Sequence, residues 1–217
     1  MKKTLDQISL VKSKIKNGKL ILGVHPYEAH PLLEETPNDV FFLNDDIPQL
    51  ALPKMSYLEE RFFHLNFNSE DFKDSFSIEA QGIFSRVYFD WSTFKFAGPN
   101  CIEGLHRLLP IGGKIIIPEP INMIHEILQN KETSADFWKL SHEERYQRNL
   151  QAKIIMLRKS GFTVKMIKSS DIHDDPVFDK IRQHFYQQEG KEKIFNVLIA
   201  TKNPSVLKTR TNAAAIK

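Results

Sequence analysis

Seven apolar runs, rich in Val, Ile, Phe and Leu and set at fairly even intervals, constrain the fold of this chain more than any other feature. They are Lys19–Val24 (KLILGV), Val40–Leu43 (VFFL), Arg61–Asn66 (RFFHLN), Ser85–Asp90 (SRVYFD), Lys114–Ile117 (KIII), Phe162–Ile167 (FTVKMI) and Phe195–Thr201 (FNVLIAT). Each has the length and β-branched or aromatic content of a strand. Several are continuously apolar instead of alternating, which is the pattern of strands covered on both faces in a parallel sheet.

Segments with helical spacing lie between the runs. Leu5, Ile8, Val11 and Ile15 form one stripe, opened by a Thr4/Gln7 capping box and closed by Asn17 and Gly18. Phe72, Phe76 and Ala80 share one face of a segment from Ser69 to Gln81. Pro99 is placed for a first helical turn, followed by Ile102, Leu105, His106 and Leu109 and stopped by Pro110, Gly112 and Gly113. Ile154, Ile155 and Leu157 lead to Gly161, a natural residue to end a helix. Strands alternating with helices predict an α/β protein with a doubly wound, mostly parallel sheet and helices on both faces. The longest interval without a strand, residues 119–160, is polar and helix-favouring; it reads as helices packed on one sheet face or as an insert over a site.

Composition narrows the classes. With 217 residues, 41% apolar and 16 Phe, the chain can bury a substantial core and is not of the disordered type. Its single cysteine, Cys101, excludes an intramolecular disulfide and any cysteine-cluster zinc site, and its place on a helix face reads as a buried structural thiol. No run is long enough to span a membrane as a helix, and the start MKKTLDQISLVKSK is not a signal-peptide core, so the expected location is cytoplasmic. Residues 1–20 carry six lysines and one acid, and the tail from Thr201 carries four cations and no acid; against a formal net charge of +3, the body between them is acidic. Basic ends on an acidic body argue against a nucleic-acid-binding face.

In a doubly wound sheet, ligands bind beyond the carboxyl ends of the strands, so the residues that close each strand carry the chemistry. They include Gly23 and His25 after the first strand, Asp45 and Asp46 after the second, Asn66 and Asn68 after the third, and Asp90 after the fourth. An acid closing the second strand can accept hydrogen bonds from both hydroxyls of a ribose; Asp45 and Asp46 also fit a solvated turn with Asn44 and Pro48. Asn66 or Asn68 can donate and accept toward an adenine edge. Trp91, Phe94 and Phe96 read as apolar walls or as ordinary packing. His25, Glu28, His30 and His64 raise a metal alternative, although their spacing fits no established metal motif. No nucleophile-elbow, Walker or dinucleotide-binding motif occurs, which weakens hydrolase, phosphoryl-transfer and dehydrogenase readings.

SRVYFDWST followed by a helix and LHRLLPIGGKIIIPEP, and then MLRKSGFTVKMIK and FNVLIATKN, resemble the class I S-adenosylmethionine-dependent methyltransferases over residues 19–203. The resemblance implies a Rossmann-like sheet of seven strands with the last antiparallel, flanked by an N-terminal helix at residues 1–18 and a flexible basic tail at 204–217. It implies S-adenosylmethionine as cofactor over the ends of the first four strands. Asp45 or Asp46 would hold the ribose, Asn66 or Asn68 would lie beside the adenine, and Gly23 would admit the cofactor. Asp90 would border the methionine moiety and act on a small-molecule or protein methyl acceptor. The sequence departs from the family at its first loop, where LILGVHPYEAHP has Gly23 alone, with His25, Pro26 and Tyr27 where small residues belong. That departure supports a rival expectation, a methyltransferase-like scaffold that has lost its cofactor and serves in binding or assembly. A protein for another nucleoside ligand, such as a nucleotide sugar, on a related sheet is a third.

Overall fold

The computed structural model describes residues 17–23, 39–44, 62–64, 72, 82–90, 94, 97–118, 139–188, 191–192 and 194–204. The expected N-terminal helix, the Ser69–Gln81 helix and the basic tail beyond residue 204 lie outside the described residues.

The strands are β1 (Gly18–Leu22), β2 (Val40–Asn44), β3 (Phe62–His64), β4 (Phe84–Phe89), β5 (Lys114–Pro118), β6 (Phe162–Lys168) and β9 (Asn196–Lys202). They form one sheet in the order β3-β2-β1-β4-β5-β9-β6. A two-stranded ribbon of β7 (Gln187–Gln188) and β8 (Lys191–Glu192) stands apart from it. The first five strands are parallel to one another, whereas β9 runs antiparallel to both β5 and β6. β6 therefore points the same way as β5, and every main strand except β9 ends at one rim.

The pleat divides the core in two. Leu20, Leu22, Phe41, Val87, Phe89, Ile115 and Leu198 face one cluster, and Ile21, Phe42, Tyr88, Ile116 and Val197 face the other. Burial on both sides explains why these strands read as continuous apolar runs. Helices α1 (Pro99–Leu108) and α2 (His142–Lys159) cover the first face, through Cys101, Ile102, Leu105 and Leu108 and through Tyr146, Leu150 and Leu157. Helix α3 (Pro176–Tyr186) covers the second with Val177, Phe178 and Ile181.

Each helix ends where its sequence requires. Helix α1 starts at Pro99, and its terminal carbonyls are capped by Lys202, whose Nζ donates to the carbonyls of His106 at 2.6 Å and Leu109 at 2.7 Å. The following turn brings Gly113 so close to Pro110 that an added Cβ would lie 2.9 Å from the Pro110 carbonyl oxygen, which explains a glycine there. Helix α2 opens on a capping box between Ser141 and Glu144 and ends before Gly161, which has a φ of 92°. The hydrogen bonds from Ser141 hold the Glu144 carboxyl below the usual range.

Helix α3 is anchored by one buried carboxylate. Asp175 accepts the Phe178 backbone N–H at 3.1 Å, the Tyr88 hydroxyl at 2.9 Å and the Arg86 guanidinium at 2.5 Å. The aspartate thus serves as N-cap and as the bridge that fixes the helix to the middle of β4. Burial, and then the neighbouring carboxylate, push the Tyr88 hydroxyl well above its ordinary pKa, so it remains a donor. Replacing Asp175 by Ala strands a buried hydroxyl and removes the cap, and the expected loss is about 2–4 kcal/mol in urea unfolding. Asp175→Asn, which retains a capping oxygen, should lose less.

A second prediction concerns acid stability. His106, on α1, packs edge-to-face on Phe162 at 5.1 Å, and burial followed by the Lys202 charge lowers its pKa from 6.5 to about 4. Protonation therefore favours the unfolded chain. This contribution is complete above about pH 6.5 and is lost as the pH falls through about 4. With the ring only partly shielded from solvent, the difference from His106→Gln should be on the order of 1–2 kcal/mol across that window, read from urea midpoints.

Candidate functional site

The chain proceeds from β1 outward to β2 and β3, then returns to place β4 on the opposite side of β1. The strand order thus reverses between β1 and β4, and the crevice at such a reversal, outside the carboxyl ends, is where open α/β sheets bind ligands. Leu22 pairs with Phe89, so the next residues along each strand, Gly23 and Asp90, flank that crevice from adjacent strands. Neighbouring strands are about 4.8 Å apart.

Backbone hydrogen bonds fix both residues. The Gly23 N–H donates to the Leu43 carbonyl at 2.9 Å, and the Asp90 N–H donates to the Leu22 carbonyl at 3.0 Å. Gly23 has a φ of 90°, a conformation that L side chains rarely adopt, so the chain turns out of β1 without a Cβ at the crevice. Asp90 is only 5% exposed. A carboxylate there, beside a glycine, suits a cationic or hydrogen-bond-donating group close to the sheet.

Of the candidates drawn from the sequence, the structure brings Gly23 and Asp90 together. β2 and β3 close at the same rim with Asn44 and His64, while Asp45, Asp46, Asn66 and Asn68 lie outside the described residues. So do His25, Pro26, Tyr27, Glu28, His30, Trp91 and Phe96. Among the described residues, no group of three or more His, Cys, Asp or Glu side chains could hold a metal ion. Phe94 is buried and meets Phe89 edge-to-face at 5.1 Å, so it is a packing residue that supports the end of β4. Cys101 is wholly buried, and that burial pushes its thiol pKa up, as a structural thiol requires.

Sequence reasoning missed Lys153. From α2 its side chain reaches into the first core cluster, where Nζ donates to the Ala97 carbonyl and lies 5.1 Å from the centroid of the Phe94 ring. It therefore pins Ala97 by its carbonyl and packs on the Phe94 ring face. Tyr146, Leu150, Lys153 and Leu157 recur at spacings of three and four, so the stripe position was readable although the residue type disguised it. Burial lowers the Lys153 pKa to about 8, and the nearby Cys101 opposes the shift.

No family model matches the chain, and no curated protein matches it in sequence. Solved structures do match. The 16S rRNA (adenine(1408)-N(1))-methyltransferase from Catenulisporales acidiphilia aligns over 91% of this chain and 93% of its own, with 10% identity and a TM-score of 0.51. The YcgJ protein from Bacillus subtilis aligns over 91% and 98%, with 12% identity and a TM-score of 0.45. Phosphoethanolamine N-methyltransferase 2 of Haemonchus contortus, solved with S-adenosylhomocysteine, aligns over 91% and 53%, with 14% identity and a TM-score of 0.45. The chain has the fold of the class I S-adenosylmethionine-dependent methyltransferases. In that fold, the strand-order reversal falls between the strands that end at Gly23 and Asp90, and Lys153 holds the Ala97 carbonyl.

The buried amine gives a test of the local geometry. Its folded pKa lies below the unfolded value of 10.5, so its contribution to stability is complete above about pH 10.5 and is lost as the pH falls through about 8. Relative to Lys153→Met, the wild type should therefore gain on the order of 2 kcal/mol between pH 8 and pH 10, measured by urea unfolding.

Proposed function

We propose that the chain is an S-adenosylmethionine-dependent methyltransferase acting on a small-molecule or protein acceptor. The observation that carries this reading is the placement of Gly23 and Asp90 on either side of the crevice where strand order reverses. The residues fit the cofactor in two respects. Gly23 carries no Cβ that would oppose close approach of a ligand to the backbone, and Asp90 supplies a buried carboxylate for a donor group or a positive charge.

The cofactor supplies a methyl group on a sulfonium, which leaves the protein little covalent work. What this chain contributes is alignment and exclusion of water. The Asp90 carboxylate orients the acceptor and accepts its proton. Phe89 and Phe94, in edge-to-face contact, pack the first core cluster at the end of β4. Lys153 holds the Ala97 carbonyl and lies over the Phe94 ring, fixing these two residues. Asp45 or Asp46 would hold the ribose and Asn66 or Asn68 the adenine edge. The acidic body of the chain favours an acceptor other than nucleic acid.

Calorimetric titration with S-adenosylhomocysteine tests the reading directly. Saturable heat is expected for the wild type, with affinity reduced about tenfold or more by Gly23→Val and by Asp90→Asn. Asp45→Ala combined with Asp46→Ala should abolish binding if these residues hold the ribose. A folded wild type giving no heat at about millimolar ligand would overturn the enzymatic reading. That result would favour the cofactor-free binding scaffold, for which the bulky His25, Pro26 and Tyr27 after Gly23 are the supporting observation.

A further inference from the structure

A cavity of about 420 Å³ opens beside the end of β6, away from the β1–β4 crevice and on the α3 side of the sheet. Its origin lies in a connection the sheet does not need. β6 and β9 are antiparallel neighbours with Lys168 opposite Asn196, and a two-residue turn is enough to join such a pair. The chain instead runs through residues 169–195, and this excursion builds both α3 and the cavity.

The base of the excursion is fixed. Ser169 continues the strand pairing by one step: its N–H donates to the Phe195 carbonyl at 2.8 Å, and its Oγ accepts the Phe195 N–H at 3.1 Å. A 3-10 turn over Ser169–Asp171 follows, closed by the Asp171 carboxylate on the Lys168 N–H at 3.1 Å. The wall then includes Ile172, His173 and Asp174, with Asp179 and Arg182 contributed by α3. Asp174 has a φ of 57°, so its exposed carboxylate stands on a left-handed residue at the cavity. Ile194 completes the lining and is 62% exposed, an apolar surface turned to the cavity and solvent instead of the core.

The charges on this wall are unequal. Arg182 is paired with Asp179 at 3.0 Å, which leaves the Asp174 carboxylate to set the sign at the mouth. An apolar patch from Ile172 and Ile194, a serine hydroxyl at Ser170 and a net negative wall match an amphipathic cation. The volume lies in the range of small-molecule sites, about 300–1,000 Å³. We infer that this cavity binds a small organic cation, an ammonium group on a short apolar body. The ammonium meets Asp174, and the apolar body lies against Ile194 and Ile172. The inference is independent of methyl transfer, because none of these residues belongs to the β1–β4 crevice.

The test uses the full chain with 2-phenylethylammonium as probe and phenylacetate as its anionic counterpart, followed by amide-resolved NMR titration at neutral pH. The expected result is saturable perturbation of Ser170, Ile172, Asp174 and Ile194 by the ammonium, with phenylacetate at least about tenfold weaker. Asp174→Asn and Ile194→Ser should each weaken the ammonium about tenfold. Asn is well suited to a left-handed position, so Asp174→Asn removes the charge while keeping the turn. The inference is overturned if the ammonium gives no saturable perturbation at these amides up to about 10 mM. Equal or tighter binding of phenylacetate, or unchanged affinity in Asp174→Asn, would overturn it equally.

Discussion

The parallel pairing of β1 with β4 is the contact from which the rest of this structure follows. The two strands are far apart in sequence, and joining them costs the loop entropy of everything between. Burial offsets that cost. Leu20, Leu22, Val87 and Phe89 are fully enclosed on one face, and Ile21 and Tyr88 on the other. Each such side chain contributes roughly 1.5–3 kcal/mol when removed from water. Because β2 and β3 extend the sheet from the other edge of β1, this pair is also the line along which strand order reverses. The interaction that closes the core therefore creates the crevice.

Much of this arrangement was legible because strands buried on both faces leave little choice of residue. All seven expected runs became strands of the main sheet, with boundaries moved by a residue or two at most positions. The direction of the last strand was not legible from the residues, since parallel and antiparallel strands share the same side-chain period. It followed only from the family resemblance, and the antiparallel β9 agrees with it. Helix α3 was missed because HDDPVFDK looks like a polar turn; its signal was the Asp-Pro pair, with Asp175 as N-cap and Pro176 as the first helical residue. The β7–β8 ribbon was missed too, its polar residues QQ and KE having no apolar alternation to reveal them.

At the site, Gly23 and Asp90 could be chosen as strand ends, but their adjacency depends on strand order, which no single run encodes. The methyltransferase resemblance implied only that the ends of the first four strands share a site, and the order itself was read from the topology. A fold shared at about a tenth of identical positions is specified by the pattern of burial more than by particular residues.

The two faces of the sheet handle buried charge differently. On the α3 side, Asp175 receives a backbone N–H, a hydroxyl and a guanidinium, so its desolvation is offset by three donors. On the other side, the partners of the Lys153 amine among the described residues are a carbonyl and a ring face, and burial drags its pKa down. The first arrangement is what helix attachment requires. The second is costly, and an isosteric Met would fill the same space without the cost. What Met would not do is hold the Ala97 carbonyl, and Ala97 lies on the segment that leaves β4 after Asp90. The costly group holds the Ala97 carbonyl on the α1 and α2 side of the sheet and the well-satisfied one attaches α3, so the two buried charges fix different parts of the fold.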